Sequence, residues 1–355
     1  MRPTIKDIAA RAGVSKTTIS FALNDPSRIS EATYKRVMAI VEEMGYVPDP
    51  VARALTTKRH GALGLLLPQP IHEALANQYL CEIVRGIGEI CEERGLALTM
   101  LPPVRGAVIE AARRAAVDAL LTIGVGPDTA VAELLRQRRL PFVTIDGAES
   151  STTVNVGIDD EAAAYSLMRA VLGLGHRRIA VLALRPETYV EPAEPYSRVS
   201  RLRLEGFGRA LAEAGLALGG PDLPVVPVEG SLEGGRQAAL GLLSAGEPAP
   251  TAIVAMADTA ALGVYEACRE LGLLVPRDLS VAGFDDIPLS AICTPALTTV
   301  RQPGLEKGAA AAELALRLLA GEPVGHLVLP AELVLRGSTA APRPGPLRKP
   351  KRGTA

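Results

Sequence analysis

The fold of the first part of the chain is decided by residues 4–24, TIKDIAARAGVSKTTISFALN. Thr4 and Asp7 form a T-x-x-D start, in which each side chain can bond a backbone amide left unpaired at a helix N-terminus. Apolar residues recur at helical spacing until Gly13, which suits the left-handed residue that ends a helix. Ser15 can then cap a second helix over the rest of this stretch. Two short helices joined by a tight turn are a helix-turn-helix.

The exposed face of the second helix predicts contact with DNA. In a helix-turn-helix the N-terminal part of the second helix enters the major groove, where Lys16 and Thr17 can reach base edges or phosphates. Phe21 shares the outward face but cannot hydrogen-bond, so it can contact a thymine methyl group. A third helix over 30–45 completes a small three-helix core. The alternative is a helical hairpin that only packs against another part of the protein.

Residues 47–60 predict a hinge helix or linker. Pro50 suits the first turn of a helix, and Ala52 and Leu55 share an apolar face. A helix of about two turns is marginal in water by itself, so its apolar face needs cover. A second copy of the helix and a DNA minor groove would both supply it, and Leu55 has the shape of an intercalating wedge. A plain interdomain linker is the alternative.

From Gly61 onward, strands alternate with helices in two successive runs. This alternation predicts two similar lobes, each a parallel sheet with helices on both faces. Ligands of such sheets bind beyond the carboxyl ends of the strands, so the cleft between the lobes is the expected site. The predicted strands lie at 62–67, 97–101, 119–123, 142–145, 179–184, 225–227, 252–255 and 280–283.

Charged residues follow several of these strands. Asp146, Asp258 and Asp285 each lie within three residues of the end of a predicted strand, and Arg203 opens a helix after a long loop. Carboxylates and a guanidinium that converge on one cleft suit a polyhydroxylated ligand, because each can make paired hydrogen bonds to neighbouring hydroxyls. For each aspartate the alternative is a role as the N-cap of the next helix.

The charge distribution separates the ends of the chain from its body. Residues 1–60 hold ten Lys and Arg against six Asp and Glu, and residues 343–355 hold five and none. Because the whole chain carries a net charge of −1, the residues between them carry −10. Basic ends on an acidic body fit a protein whose first segment meets a polyanion.

Composition argues against several other classes of protein. The 355 residues suit two or three domains. No apolar run approaches the roughly 20 residues that span a bilayer, and no secretory signal is visible, so we expect no membrane contact and a cytoplasmic location. The four Cys and four His are scattered, which predicts neither a metal site nor a cofactor.

Two other functions fit the alternating body. An α/β enzyme is one, but the sequence has no G-x-G-x-x-G, Walker or G-x-S-x-G motif, so we expect no enzyme. A transport binding protein is the other, and the helix-turn-helix and the missing signal peptide argue against it.

These motifs resemble the lactose-repressor (LacI/GalR) family over about residues 3–337. The resemblance implies an α/β fold with a three-helix helix-turn-helix head and a two-lobed periplasmic-binding-protein-like core. It rests in the head on residues 4–9, 12–15, 18–20, 24, 45–48 and 51–55. In the body it rests on residues 78–80, 84–87, 174–180, 201–207, 280–286 and 297–302.

The resemblance also implies a function. Family members are repressors that bind a pseudo-palindromic operator in double-stranded DNA as homodimers, with paired hinge helices in the minor groove and a carbohydrate-like effector between the lobes. Family members most often have an arginine at the position of Phe21. The operator sequence of a known member is therefore not assigned to this chain. The expected DNA-binding residues are Thr4, Ser15, Lys16, Thr17, Ser20, Phe21, Asn24, Ala52 and Leu55. The expected effector-binding residues are Tyr79, Asp146, Arg203, Asp258 and Asp285.

The expected domain boundaries follow from the pattern and the resemblance together. They give a head at 1–46, a hinge at 47–60, a core at 61–337 and a disordered basic tail at 338–355. Within the core, the first lobe would comprise about 61–157 and 288–318. The second lobe would comprise about 159–285 and 324–337.

Overall fold

A computed structural model describes residues 3–47, 59–185, 197–245 and 249–347 of the chain. It divides into two compact units, Met1–Gly61 and Ala62–Ala355. Ala52 and Leu55 lie outside the described residues, so the hinge helix stays a prediction. No helix within the described ranges is both long and apolar enough to cross a membrane.

The described residues of the first unit contain three α-helices: α1 (Ile5–Ala12), α2 (Lys16–Asn24) and α3 (Glu31–Glu43). A short 3-10 turn, Pro26–Arg28, follows α2. The three helices pack around one small apolar core, as the spacing predicts. Its fully buried members are Ile8, Ile19 and Val37.

Local hydrogen bonds explain where the first two helices begin and end. The Asp7 carboxylate accepts a hydrogen bond from the Thr4 amide at 2.9 Å, and the Thr4 hydroxyl accepts one from the Asp7 amide, which confirms the predicted capping box. Gly13 ends α1 with φ of 64°. Ser15 caps α2 by accepting a hydrogen bond from the Thr18 amide at 3.1 Å.

The first lobe of the second unit is a six-stranded sheet in which every pair is parallel. Helices Gln78–Glu93 (α5) and Gly304–Leu319 (α13) cover one face, and Val108–Arg114 (α6) and Ala130–Gln137 (α7) cover the other. A short helix, Ile71–Ala76 (α4), precedes α5. Across the sheet the strands are Leu327–Leu329 (β11), Val154–Ile158 (β5), Phe142–Ile145 (β4), Ala119–Ile123 (β3), Ala62–Leu66 (β1) and Ala97–Leu101 (β2).

The second lobe is a four-stranded parallel sheet with helices on both faces. Asp160–Gly173 (α8) and Arg198–Glu213 (α9) lie on one side, and Leu232–Ser244 (α10) and Asp258–Glu270 (α11) on the other. Across the sheet the strands are Val225–Val228 (β7), Ile179–Leu184 (β6), Ala252–Ala255 (β8) and Ser280–Ala282 (β9). Two parallel sheets of this kind confirm the predicted architecture.

The predicted assignment of chain to lobes after residue 287 is wrong in two places. The stretch 288–301, which includes Thr299–Arg301 (β10), was assigned to the first lobe with 288–318. It runs beside the second sheet instead, where the Asp285 amide donates to the Val300 carbonyl at 2.9 Å. Leu327–Leu329 was assigned to the second lobe with 324–337, but it pairs with β5 of the first sheet. The lobe to which each strand belongs depends on which distant strand it pairs with. The alternation of strands and helices along the sequence does not reveal that pairing.

The remaining short elements belong beside β10. Helix Pro288–Ile292 (α12) lies between β9 and β10. Strand Glu332–Val334 (β12) pairs antiparallel with β10, so the chain returns to the second lobe after β11.

The predicted disordered tail over 338–355 is wrong for its first ten residues, which pack on the second lobe. Ser338 is fully buried and donates to the Val281 carbonyl at 2.6 Å. Buried His176 bonds the Ala340 carbonyl through Nε2 at 2.8 Å, and burial lowers the pKa of its ring. The Arg343 guanidinium donates to the Pro250 and Asp278 carbonyls. These hydrogen bonds hold residues 338–347 in place on the second lobe, although their sequence has no helix or strand periodicity.

We predict that a chain ending at Gly337 is less stable than the full chain by about 3 kcal/mol or more. Removing 338–347 leaves His176, the Thr298 amide and the carbonyls that bind Arg343 without these partners, and an unpaired buried polar group costs about 1–3 kcal/mol. Urea unfolding measures the difference. A chain ending at Leu347 is the control and should lose less than about 0.5 kcal/mol. Equal free energies of unfolding for the two truncated chains would contradict the packing of 338–347 on the second lobe.

Candidate functional site

The predicted cleft residues form two groups, one in each lobe, where the carboxyl ends of the sheets meet. In the first lobe the Tyr79 hydroxyl donates to Asp146 Oδ2 at 2.8 Å. In the second lobe Asp285 Oδ2 accepts a hydrogen bond from the Asp258 amide at 3.3 Å. Arg203 lies in the second lobe without a direct bond to any of these four. The residues selected from the sequence thus lie in both lobes, but the sequence did not indicate which residues join them.

Lys307 joins the first group and was not predicted. Its side chain is fully buried, and its ammonium donates to Asp146 Oδ1 at 2.6 Å, the Tyr79 hydroxyl at 2.8 Å and Gln302 Oε1 at 2.8 Å. These three bonds use all three N–H donors of a lysine. Burial, followed by the Asp146 charge, raises the pKa of Tyr79, so its hydroxyl stays protonated and donates to the carboxylate.

Gln302 connects the two lobes. Its amide oxygen accepts from Lys307, and its amide nitrogen donates to Asp285 Oδ1 at 2.7 Å. The residue lies between β10 and α13, where the chain passes from the second lobe to the first. An uninterrupted hydrogen-bond chain therefore runs from Tyr79 and Asp146 in one lobe to Asp285 in the other.

The close crossing of α5 and α13 brings Lys307 to this place. A Cβ added to Gly86 would overlap the Leu305 carbonyl oxygen, and one added to Gly308 would overlap that of Ile83. Two glycines thus allow the helix backbones to touch, which places the first turns of both helices side by side. The sequence carried a signal for this, since Lys307 precedes the buried Ala311 and Ala315 by four and eight residues on one helix face.

The three aspartates do not follow the N-cap alternative. Asp258 is the first residue of α11, and its carboxylate accepts hydrogen bonds from the Ile287 amide and the Ser290 and Thr299 hydroxyls. Asp285 caps α11 from outside it, through the Asp258 amide. Asp146 binds Tyr79 and Lys307. Of the three, Asp285 alone bonds a helix amide, and that helix precedes it in the chain.

Burial raises the pKa of both Asp258 and Asp285, and the charge of Asp258 raises that of Asp285 further. The two carboxyls share a low-dielectric site, so ionising both at once is unfavourable. Arg203 opposes this effect at Asp285 by attraction. Both carboxyls are therefore protonated more easily than an exposed aspartate.

Three contacts hold the guanidinium of Arg203 in one orientation, and neither hydrogen bond among them uses its Nη2. Its Nε donates to Asp160 Oδ1 at 2.9 Å and its Nη1 to the Met256 carbonyl at 2.6 Å. Its guanidinium stacks 3.6 Å from the centre of the Phe284 ring. Within the described ranges Nη2 makes no hydrogen bond. Asp160 is the buried partner that orients this guanidinium, and it was not among the residues predicted from the sequence.

The predicted DNA-contact residues that the structure describes in the head lie on α2 or at its N-cap, except Thr4, which lies at the N-cap of α1. Lys16, Thr17 and Asn24 are exposed, while Ser20 and Phe21 are half-buried. The Asn24 amide donates to the Ser20 carbonyl at 3.0 Å. The hydroxyls of Thr4 and Ser15, as described above, cap α1 and α2. The structure thus gives these last two a role in helix formation.

These residues are called the polar network below: Tyr79, Asp146, Lys307, Gln302, Asp258, Asp285 and the neighbouring Arg203. A cavity of about 480 Å³ is lined by none of them. Its lining is mostly apolar, including Val300, Leu329 and Leu333, with Asp159 and Ser166 at the first turns of α8. The polar network fits a hydrophilic ligand better, because it offers both acids and a guanidinium. Across the part of the chain that the structure describes, no three His, Cys, Asp or Glu side chains form a metal-binding group.

A helix-turn-helix head and a two-lobed core with polar groups between the lobes define a regulator of the periplasmic-binding-protein type. Residues 4–49 match the family model of bacterial regulatory proteins, lacI family, and residues 168–339 match a periplasmic binding protein-like domain. An HTH-type transcriptional regulator of Mycobacterium tuberculosis is 37% identical over 359 residues, covering 96% of this chain and 98% of the relative.

Two solved structures extend the comparison. The Lac repressor dimer bound to operator and the anti-inducer ONPF matches with a TM-score of 0.79 and 27% identity, over 96% of this chain and 100% of that one. The transcriptional regulator CelR in complex with cellobiose matches with a TM-score of 0.67 and 27% identity, over 95% and 100%. The chain belongs to the lacI family of bacterial regulatory proteins and is a helix-turn-helix transcription regulator.

We predict that Lys307→Met destabilises the protein by about 3–5 kcal/mol, because it leaves the Asp146 carboxylate buried without its counter-charge. Urea unfolding of the full chain measures the loss. Lys307→Met combined with Asp146→Asn should recover most of it, since neither charge then remains. A double variant no more stable than Lys307→Met would contradict the assigned pair.

Proposed function

We propose that the protein is a repressor that binds a pseudo-palindromic operator in double-stranded DNA as a homodimer. A small carbohydrate-like effector, bound at the polar network between the lobes, changes its affinity for that operator. The observation that carries the proposal is the presence in one chain of an exposed α2 surface and of an interlobe network of acids, a guanidinium and an amide. The Lac repressor structure, an operator-bound dimer, supports the first half.

The α2 surface has the chemistry for duplex DNA. Lys16 offers a cation and Thr17 a hydroxyl at the N-terminal end of α2, the part of a recognition helix that meets base edges. Ser20 and Asn24 continue that face by one and two turns. Thr4, Ser15, Phe21, Ala52 and Leu55 complete the proposed set of DNA contacts. An operator in the chromosome implies a cytoplasmic location.

The polar network has the chemistry for a polyol. The free Nη2 of Arg203 donates to a hydroxyl oxygen, and the carboxyl groups of Asp146 and Asp285 retain lone pairs that accept from hydroxyls. Tyr79 and Asp258 complete the proposed effector set, and the ring of Tyr79 offers a stacking face. The cellobiose complex of CelR supports this ligand class. The network binds its ligand without converting it, as expected of a regulator.

Regulation follows from the placement of the network across two lobes. A ligand that bonds Asp146 in one lobe and Asp285 in the other competes with the chain through Lys307 and Gln302. Its binding free energy therefore differs between lobe arrangements, and that difference shifts the equilibrium between them. The shift changes operator affinity by the same factor by which DNA changes effector affinity.

We predict that the full chain selects specific sites from genomic fragments and that Lys16→Ala weakens binding to them by about tenfold or more, as expected for a lost base-edge contact. Mobility-shift titration at fixed salt measures the change. Lys35→Ala removes the same charge from exposed α3 and is the matched control, expected to stay within about threefold. Absence of site-specific binding by the unaltered chain at any salt concentration would refute operator recognition.

We predict that Arg203→Lys weakens effector binding by about tenfold or more, because lysine keeps the charge but lacks the planar fork that leaves Nη2 free. A panel of neutral mono- and disaccharides that includes cellobiose is screened by thermal shift, and hits are titrated by calorimetry. Arg209→Lys on the exposed face of the same helix is the control and should bind normally. Operator affinity without ligand should be unchanged in both variants. Equal sugar affinity in Arg203→Lys would remove Arg203 from the site.

A further inference from the structure

Phe21 occupies a position on α2 where its own chemistry supplies little recognition. It lies one turn after Thr17 and one residue after Ser20, on the face proposed to meet DNA. A phenyl ring has no hydrogen-bond donor or acceptor, and here it is half-buried. The guanidinium of Arg28 lies over the ring, with Cζ 5.2 Å from its centre, which is within the range of a cation–π contact.

Arg28 is also held from a second side. Its Nε donates to Asp25 Oδ2 at 2.8 Å, and the other oxygen of Asp25 accepts from the Ser27 hydroxyl at 2.6 Å. The Ser27 bond, followed by the contact with Arg28, lowers the pKa of Asp25, so its carboxylate stays ionised. All three residues belong to the C-cap of α2 and the 3-10 turn Pro26–Arg28. The ring fixes the plane of the guanidinium, and the carboxylate fixes its rotation.

The two terminal nitrogens of Arg28, Nη1 and Nη2, have no partner in these contacts, and they are the atoms through which an arginine recognises a base. Among the residues that the structure describes, neither Nη1 nor Nη2 makes a hydrogen bond, and the side chain is 63% exposed. Exposed ion pairs contribute little to stability, so the arrangement is better explained by orientation than by folding. A guanidinium bound through Nε presents its two terminal nitrogens outward as a planar fork.

We propose that Arg28 is a specificity-determining residue that reads a guanine in each operator half-site. Its Nη1 and Nη2 donate to O6 and N7 in the major groove, while Phe21 and Asp25 support it. This pairing is the commonest specific contact between an amino acid and a base, because the fork matches the two acceptors of guanine. The inference rests on the proposed operator binding and extends it to a residue outside the recognition helix. Phe21 then acts as a platform.

The test selects bound sequences from a pool of random double-stranded DNA with the full chain and with Arg28→Ala. The unaltered chain should select guanine at one position repeated symmetrically in both half-sites. Arg28→Ala should lose preference at that position alone and bind the guanine site about tenfold or more weakly. Arg28→Lys should lose the preference as well, because a lysine cannot form the fork. Phe21→Leu should weaken it, because it removes the cation–π platform.

Controls separate the possible failures. Arg36→Ala removes an exposed arginine from α3 and should leave the selected sequence unchanged. Unchanged thermal midpoints for all variants exclude a folding defect. If Arg28→Ala selects the same sequence as the unaltered chain, or weakens all sequences equally as a lost phosphate contact would, the inference is overturned while operator binding stands. If the unaltered chain selects no sequence, operator recognition itself fails, and the guanine contact with it.

Discussion

The interlobe site depends on one buried charge, the ammonium of Lys307. An ammonium ion removed from water is stable only when its hydrogens and its charge are satisfied, so its partners cannot move independently. Those partners come from the start of a helix (Tyr79), the end of a strand (Asp146) and a crossing between lobes (Gln302). A single group therefore fixes three segments that are far apart in sequence. The glycines at the α5–α13 crossing serve this constraint, since bulkier residues would hold the helices apart.

The bridge to the second lobe uses the dual chemistry of an amide. The oxygen of Gln302 accepts from a cation in one lobe, and its nitrogen donates to the Asp285 carboxyl of the other. A carboxylate or an ammonium at this position would satisfy one side and repel the other. The bridge also gives lobe movement a defined energetic consequence. Any rearrangement that separates the lobes must supply new partners for Lys307 and Asp285, and the proposed polyhydroxylated effector would be such a partner.

Features that depend on neighbouring residues could be predicted from the sequence. Features that depend on pairing between distant segments could not. The capping box of Thr4, the cap at Ser15 and the order of most strands and helices depend on residues within a few positions of each other. The assignment of Thr299–Arg301 and Leu327–Leu329 to lobes depends on which distant strand each one meets. The aspartates at strand ends were identifiable, but Lys307 was hidden in an alanine-rich helix. Asn155, buried in the unpredicted strand β5, likewise interrupts an apolar pattern for the sake of a bond to the Gly147 amide.

The proposed DNA-binding surface and the proposed effector site also differ in how far apart their bonded residues lie along the sequence. In the head, Asp25 fixes Arg28 across three residues, and Ser15 caps α2 through Thr18. In the core, the partners of Tyr79 lie 67 and 228 residues away. A substitution on α2 or its following turn can therefore change the contacts offered to a base without disturbing any bond of the interlobe network. Altering the network instead requires simultaneous accommodation by several segments, because each member satisfies a buried charge or a buried amide of another. DNA preference is thus physically the easier of the two specificities to change.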